Sequence, residues 1–143
     1  MTLTAKQIID SAFPIVKKSA KYVVLRKTVQ KGFMKSGAPK AIFTAKSTAD
    51  ANGNPIRGLA KTHKVAVWAP SPREKLHLGP VLVTCDCEYF CFNCEVALAK
   101  KGASLIHFSN GEHPEVTNPR LIPSPCKHVY VALIRVLKEK DNL

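Results

Sequence analysis

No stretch of this chain approaches the about 18 consecutive apolar residues that a membrane-spanning helix needs, so no membrane contact is expected. The N-terminus, MTLTAKQIIDSAF, lacks a basic segment followed by an apolar run and a small-residue cleavage site. That pattern would mark a secretory leader, and without it the protein is expected to be made in a reducing cytoplasm. No Gly-rich phosphate loop, internal repeat or low-complexity tract is present, which removes the nucleotide-binding and solenoid classes. Acids are scarce: ten Asp and Glu stand against 22 Lys and Arg, for a net charge of +12. Even the cysteines are too few and wrongly numbered for a disulfide framework, because five leave one unpaired. In a reducing compartment, clustered cysteines more often bind metal or do redox work.

What remains is a chain of 143 residues, 45% hydrophobic and 22% charged, the size and composition of one folded domain. Ten prolines and seven glycines favour short elements joined by turns. The charge is uneven. Residues 1–46 carry ten basic residues and one acid, Asp10, a net +9, whereas the other 97 residues hold twelve basic and nine acidic ones. Such a surface attracts polyanions without reading sequence. Lys17, Lys18, Lys21, Arg26, Lys27, Lys31 and Lys35 are therefore candidate contacts for DNA or for partner subunits, set against the plainer reading of a solvated surface.

Periodicity predicts the elements. Thr4 and Gln7 form a capping box ahead of Ile8, Ile9, Ala12, Phe13 and Val16 at helical spacing, with Pro14 bending or ending that helix. Tyr22–Leu25 and Ala41–Thr44 read as strands separated by a loop from Gly32 to Pro39. Asp50–Pro55 is the strongest turn signal. Lys64–Trp68 and Val81–Thr84 read as an antiparallel hairpin, whose second strand delivers Cys85-Asp86-Cys87. Glu88–Lys101 reads as a helix capped by Gly102, Ser104–Phe108 as a short strand, and Ser109–Pro125 as a loop. His128–Lys140 reads as a helix whose apolar face is Val129, Ala132, Leu133, Val136 and Leu137. The expected fold is α+β, a small antiparallel sheet with flanking helices stapled by one structural zinc. Residues 1–61 form a basic region, packed either as its own layer or as part of the same domain, and residues 62–143 form the zinc-binding region.

The zinc expectation rests on two short pairs. Cys85-Asp86-Cys87 and Cys126-Lys127-His128 supply three thiolates and an imidazole, the donor set that Zn²⁺ takes in a tetrahedron. Together they close a 44-residue stretch. Four protein ligands leave no open coordination position, so the site is expected to be structural rather than catalytic. Cys91 and Cys94 leave alternatives open. On a helix from Glu88 they share a face with Cys87, so either can replace a ligand or the two can form a redox pair. The plainer reading makes both small core residues.

These two pairs, followed by an apolar helix, resemble a SWIM-type zinc finger, whose pattern is Cys-x-Cys, a spacer, then Cys-x-His. The resemblance covers about residues 62–140 and implies a hairpin carrying the first pair and a helix beginning at the second. The spacer here, 38 residues between Cys87 and Cys126, is long for that pattern. The Ser-Asn-Gly-Glu loop and the Cys-Lys-His motif also resemble uncharacterised proteins of tailed bacteriophages. That resemblance implies a non-enzymatic component of an assembly, held among other protein subunits in the neck, tail, baseplate or inner capsid of a virion. The alternative that the SWIM pattern implies is a nucleic-acid-binding module using the basic N-terminal third.

Other candidates are weaker. His63, His77, His107 and His113 are scattered and are expected to be ordinary surface or core histidines. Glu112 and Glu115 lie in a loop without a nucleophile and read as solvated acids. Cys with His can make a nucleophilic pair, but no oxyanion-hole signal accompanies one, and no catalytic residue is assigned. Tyr22, Phe33, Phe43 and Trp68 alternate with basic residues, as in surfaces that stack on single-stranded bases, although filling a sheet's core is the stronger expectation for them.

Overall fold

A computed structural model of the chain describes residues 2–50, 52–55, 62–106, 109, 111, 112 and 114–139, with the backbone alone over 27–33. Four strands form one antiparallel sheet in the order β1-β2-β3-β4: β1 Val23–Phe33, β2 Pro39–Ser47, β3 Thr62–Trp68 and β4 Leu82–Cys85. Among the described residues, four α-helices accompany it: α1 Ala5–Asp10, α2 Pro14–Ala20, α3 Glu95–Lys100 and α4 Lys127–Glu139. The architecture is α+β, as the sequence pattern predicts. The sheet joins the basic region to the zinc-binding region of the sequence reading, because β2 pairs with β3 from Lys40↔Trp68 to Lys46↔Thr62.

Alternation decides which face is buried. Along β2, Ala41, Phe43, Ala45 and Ser47 point inward, as do Val65 and Val67 of β3 and Val83 and Cys85 of β4. Successive strand side chains point to opposite faces, so a single hydrophobic face results. α4 packs across all four strands. Its Val129, Ala132, Leu133 and Val136, spaced for one helical face, are buried together with Phe43, Val65, Val67, Phe90 and Leu98. Truncating the fully buried Phe43 to alanine would cost about 3–5 kcal/mol by cavity formation. α1 and α2 pack on α4.

Local chemistry sets the helix ends. At α1 the capping box is complete: Gln7 N donates to Thr4 Oγ1 at 3.2 Å and Thr4 N donates to Gln7 Oε1 at 2.9 Å. Pro14 ends nothing by itself. α1 stops at Asp10, and Pro14 occupies the first turn of α2, where its missing N–H is not needed. The Asp50 turn forms as expected, with Asp50 Oδ1 accepting from Asn52 N and Asn54 N at 2.9 and 3.0 Å and Gly53 at φ 83°.

Two predicted elements need correction. The helix predicted over Glu88–Lys101 is interrupted by a π-helical turn, Phe90–Cys94, before α3 begins. Gly102, at φ 71°, then closes α3. Gly102 N donates to Ala99 O at 3.0 Å and Ala103 N to Leu98 O at 2.8 Å, the paired bonds of a Schellman cap. The strand predicted over Ser104–Phe108 does not form at residues 104–106, and residues 107 and 108 lie outside the described residues. Contact with β4 is made instead at residues 103 and 104. Val83 N donates to Ala103 O, and the Ser104 hydroxyl, not a backbone N–H, donates to Val83 O at 2.6 Å. A hydroxyl in place of the ladder N–H ends the pairing there.

Candidate metal centre

The hairpin and α4 converge on one point. β4 ends at Cys85, an inward-facing position opposite Val65. The chain turns through exposed Asp86 and returns Cys87 to the interior. Cys126 immediately precedes α4, with Tyr130 N donating to its carbonyl at 2.9 Å, and His128 lies in the first turn of that helix.

The structure brings Cys85, Cys87, Cys126 and His128 together, with one donor atom from each lying within 4.8 Å of the others and all four residues buried. A zinc tetrahedron with Zn–S bonds of about 2.3 Å has S···S edges of about 3.8 Å. The cluster is thus one small contraction from that size. Cys85 Sγ is already 3.7 Å from His128 Nδ1. The set is compatible with a single metal ion.

Two of the sulfurs sit at helix starts, in the position a Ser or Asp side chain takes as an N-cap. Phe90 N lies 3.4 Å from Cys87 Sγ, and Val129 N lies 3.4 Å from Cys126 Sγ. These N–H groups favour thiolate over thiol. Hydrogen bonds from Cys126 and then Cys85 hold the Cys87 thiol well below the ordinary range, whereas burial pushes Cys126 well above it.

His128 is held from its far side. Its Nε2 lies 3.1 Å from the hydroxyl of Ser47, at the buried end of β2. Were Nδ1 to bind a metal among the thiols, Nε2 would be left to donate to the Ser47 hydroxyl. Metal-ligating histidines are oriented in this way by a second hydrogen bond. A further histidine covers the ring: the His63 and His128 centroids are 4.8 Å apart at an interplanar angle of 35°. His63 Nδ1 is 2.9 Å from Asp86 Oδ1, which also accepts from Lys64 N at 3.2 Å. The residue between the two first cysteines thus ties their loop to β3.

Sequence reasoning missed Ser47 and His63. His63 was expected to be an ordinary histidine, yet the period of two that points Val65 and Val67 inward also puts His63 on their side. Ser47 carries the same signal through β2.

The remaining cysteines are not members of the cluster. Cys94 is fully buried and its thiol is pushed well up by burial, as fits a core residue. Cys91 is only half-buried, so the core reading does not hold for it, and burial raises its thiol too.

The candidate contact residues are dispersed. Lys17, Lys18 and Lys21 are exposed on or beside α2, on the helix side of the sheet. There Lys18 Nζ donates to Asn52 Oδ1 at 3.2 Å, and Lys21 Nζ lies 5.1 Å from the Tyr22 ring centre. Arg26 is exposed on the opposite face, Lys35 lies in the β1–β2 turn, and the side chains of Lys27 and Lys31 lie outside the described residues. His107 and His113 also lie outside them. Glu112 and Glu115 are exposed, as expected, and Phe43 belongs to the core whereas Trp68 does not. No family model matches this chain, and neither the curated proteins nor the solved structures yield a match.

Proposed function

We propose that this chain is a zinc-stapled, non-enzymatic component of a macromolecular assembly, in which the metal fixes the fold. The observation that carries this reading is the buried convergence of three sulfurs and one imidazole nitrogen from two distant chain segments. Soft thiolates with one imidazole select zinc over hard cations. Four protein donors complete its shell and leave no position for water or substrate. The ion joins the end of β4 to the start of α4, so its binding free energy acts as folding free energy.

The arrangement agrees with a SWIM-type finger, in which a hairpin carries Cys-x-Cys and a helix begins at Cys-x-His. The bacteriophage resemblance of the second half supplies the setting, a virion part contacting other subunits. The test is purification under native conditions with metal analysis of the complex. One zinc per chain and protein partners at fixed copy number support the reading. A monomer turning over a small-molecule substrate contradicts it.

A further inference from the structure

The sheet has a second face, and its chemistry differs from that of the first. α4 covers the face carrying Phe43, Val65 and Val83. The alternate residues point the other way. Arg26, Lys46 and Lys64 are exposed there, and Lys40, Ile42 and Trp68 are partly exposed. None of the four strands contains an aspartate or glutamate. The nearest carboxylate in sequence, Asp86 after β4, is engaged by His63 and the Lys64 N–H.

The register arranges these side chains. Arg26 pairs with Thr44, which pairs with Lys64, so Arg26 and Lys64 flank one row about 10 Å apart at the usual strand spacing. Lys46 lies two residues further along β2. At the other end Lys40 stands directly opposite Trp68, about 13 Å from the first row at the usual rise per residue. Ile42, opposite Ala66, fills the interval with apolar surface. Cations at both ends, an apolar floor and an aromatic ring form a flat strip. An α-helix docking there would meet no groove, and an acidic peptide would have no use for the ring.

We propose that this outer sheet face, which no helix among the described residues covers, binds single-stranded nucleic acid, with Arg26, Lys40, Lys46 and Lys64 on phosphates and Trp68 stacked on a base. Charge complementarity argues for a polyanion, and the flat face with its ring argues for unpaired bases, since stacking on aromatics tolerates any base. The inference stands on the sheet and does not depend on the metal. It also narrows the contact within the basic N-terminal third: Arg26, Lys40 and Lys46 belong to this face, whereas Lys17 and Lys18 are exposed on α2, on the far side of the sheet.

Trp68 is the chain's only tryptophan, so its emission reports the contact directly. The experiment titrates the full, zinc-loaded chain with a 20-nucleotide oligo(dT), following Trp68 fluorescence and the anisotropy of labelled oligonucleotide, with polyglutamate and a 20-base-pair duplex as comparisons. Oligo(dT) should quench Trp68 and bind at least tenfold more tightly than either comparison. Single-strand release of ions gives a log–log salt slope of about −0.7 per phosphate neutralised, so four cations should give about −3. K40E/K64E should weaken binding tenfold or more with zinc content unchanged. Trp68→Ala should do likewise, and Trp68→Phe should retain affinity within about threefold. No binding at 50 mM salt, equal binding of polyglutamate or duplex, or binding without quenching would each overturn the proposal. Should K40E/K64E fail to fold, a slope near zero for the native chain would overturn it by itself.

Discussion

Ser47 Oγ lies 3.1 Å from His128 Nε2, on the side of the imidazole away from the thiols. The contact joins the last residue of β2 to the first turn of α4 across 81 positions of sequence, and it fixes which ring nitrogen faces the sulfurs. Ser47→Ala should therefore leave the fold intact and lower zinc affinity about 10–100-fold, the usual effect of losing such a partner. Competition with a chromogenic chelator measures it. Unchanged affinity would mean that α4 packing alone orients the ring.

Ligand removal should act on stability. Cys126→Ala or His128→Ala should abolish stoichiometric zinc and lower the melting temperature by about 10 °C or more, because metal binding and folding are linked. Strong chelators should do the same to the native chain. Replacing Cys91, half-buried and outside the cluster, should cost less than about 1 kcal/mol. Thermal unfolding with metal analysis ranks the variants, and a larger loss from Cys91 than from Cys87 would identify a different ligand set.

Thiol labelling should follow burial. Cys85, Cys87, Cys94 and Cys126 are buried and Cys91 is half-buried. In the zinc-loaded native protein an alkylating reagent should modify Cys91 alone, and slowly, because burial raises its thiol above the ordinary value. Chelator plus denaturant should expose all five. Mass spectrometry of the alkylated chain counts the adducts, and rapid native labelling of Cys126 would contradict a buried site.

Acid should release the metal. Burial keeps Cys126 protonated in the metal-free chain well above the ordinary thiol range, so zinc must displace that proton on binding. The sign follows from competition: as pH falls, protons win and affinity drops, by tenfold per pH unit for each proton displaced. Titrations in weak buffer should show proton release on zinc addition, and affinity that does not vary with pH would exclude protonated ligands.

The two Cys/His pairs that form the cluster, and the elements that present them, were legible because each signal is local. Alternation from Lys64 to Trp68 and from Val81 to Thr84, and the helical spacing after His128, required no knowledge of distant residues. The π-helical turn at Phe90–Cys94 was not legible. Its residues are compatible with an ordinary helix, and the bonds that Thr117 Oγ1 and Asn118 Nδ2 donate to the Phe92 and Asn93 carbonyls come from 25 positions away. The 104–106 segment reads as a strand by composition, but the Ser104 hydroxyl takes the bond that pairing needed. Ser47 and His63 were missed because their roles depend on where β2 and β3 lie relative to α4, which only the assembled sheet determines. The charge of the outer face escaped notice for the same reason. Counting lysines along the chain mixes those of α2 with those of β2 and β3, which the fold puts on opposite sides.

X-ray absorption at the zinc edge on the purified protein, with elemental analysis of the same sample, tests the metal centre most directly. The expected result is one zinc per chain in a four-coordinate shell of three sulfurs and one nitrogen, lost in both Cys126→Ala and His128→Ala. A chain without bound metal, or a shell dominated by oxygen, would contradict it.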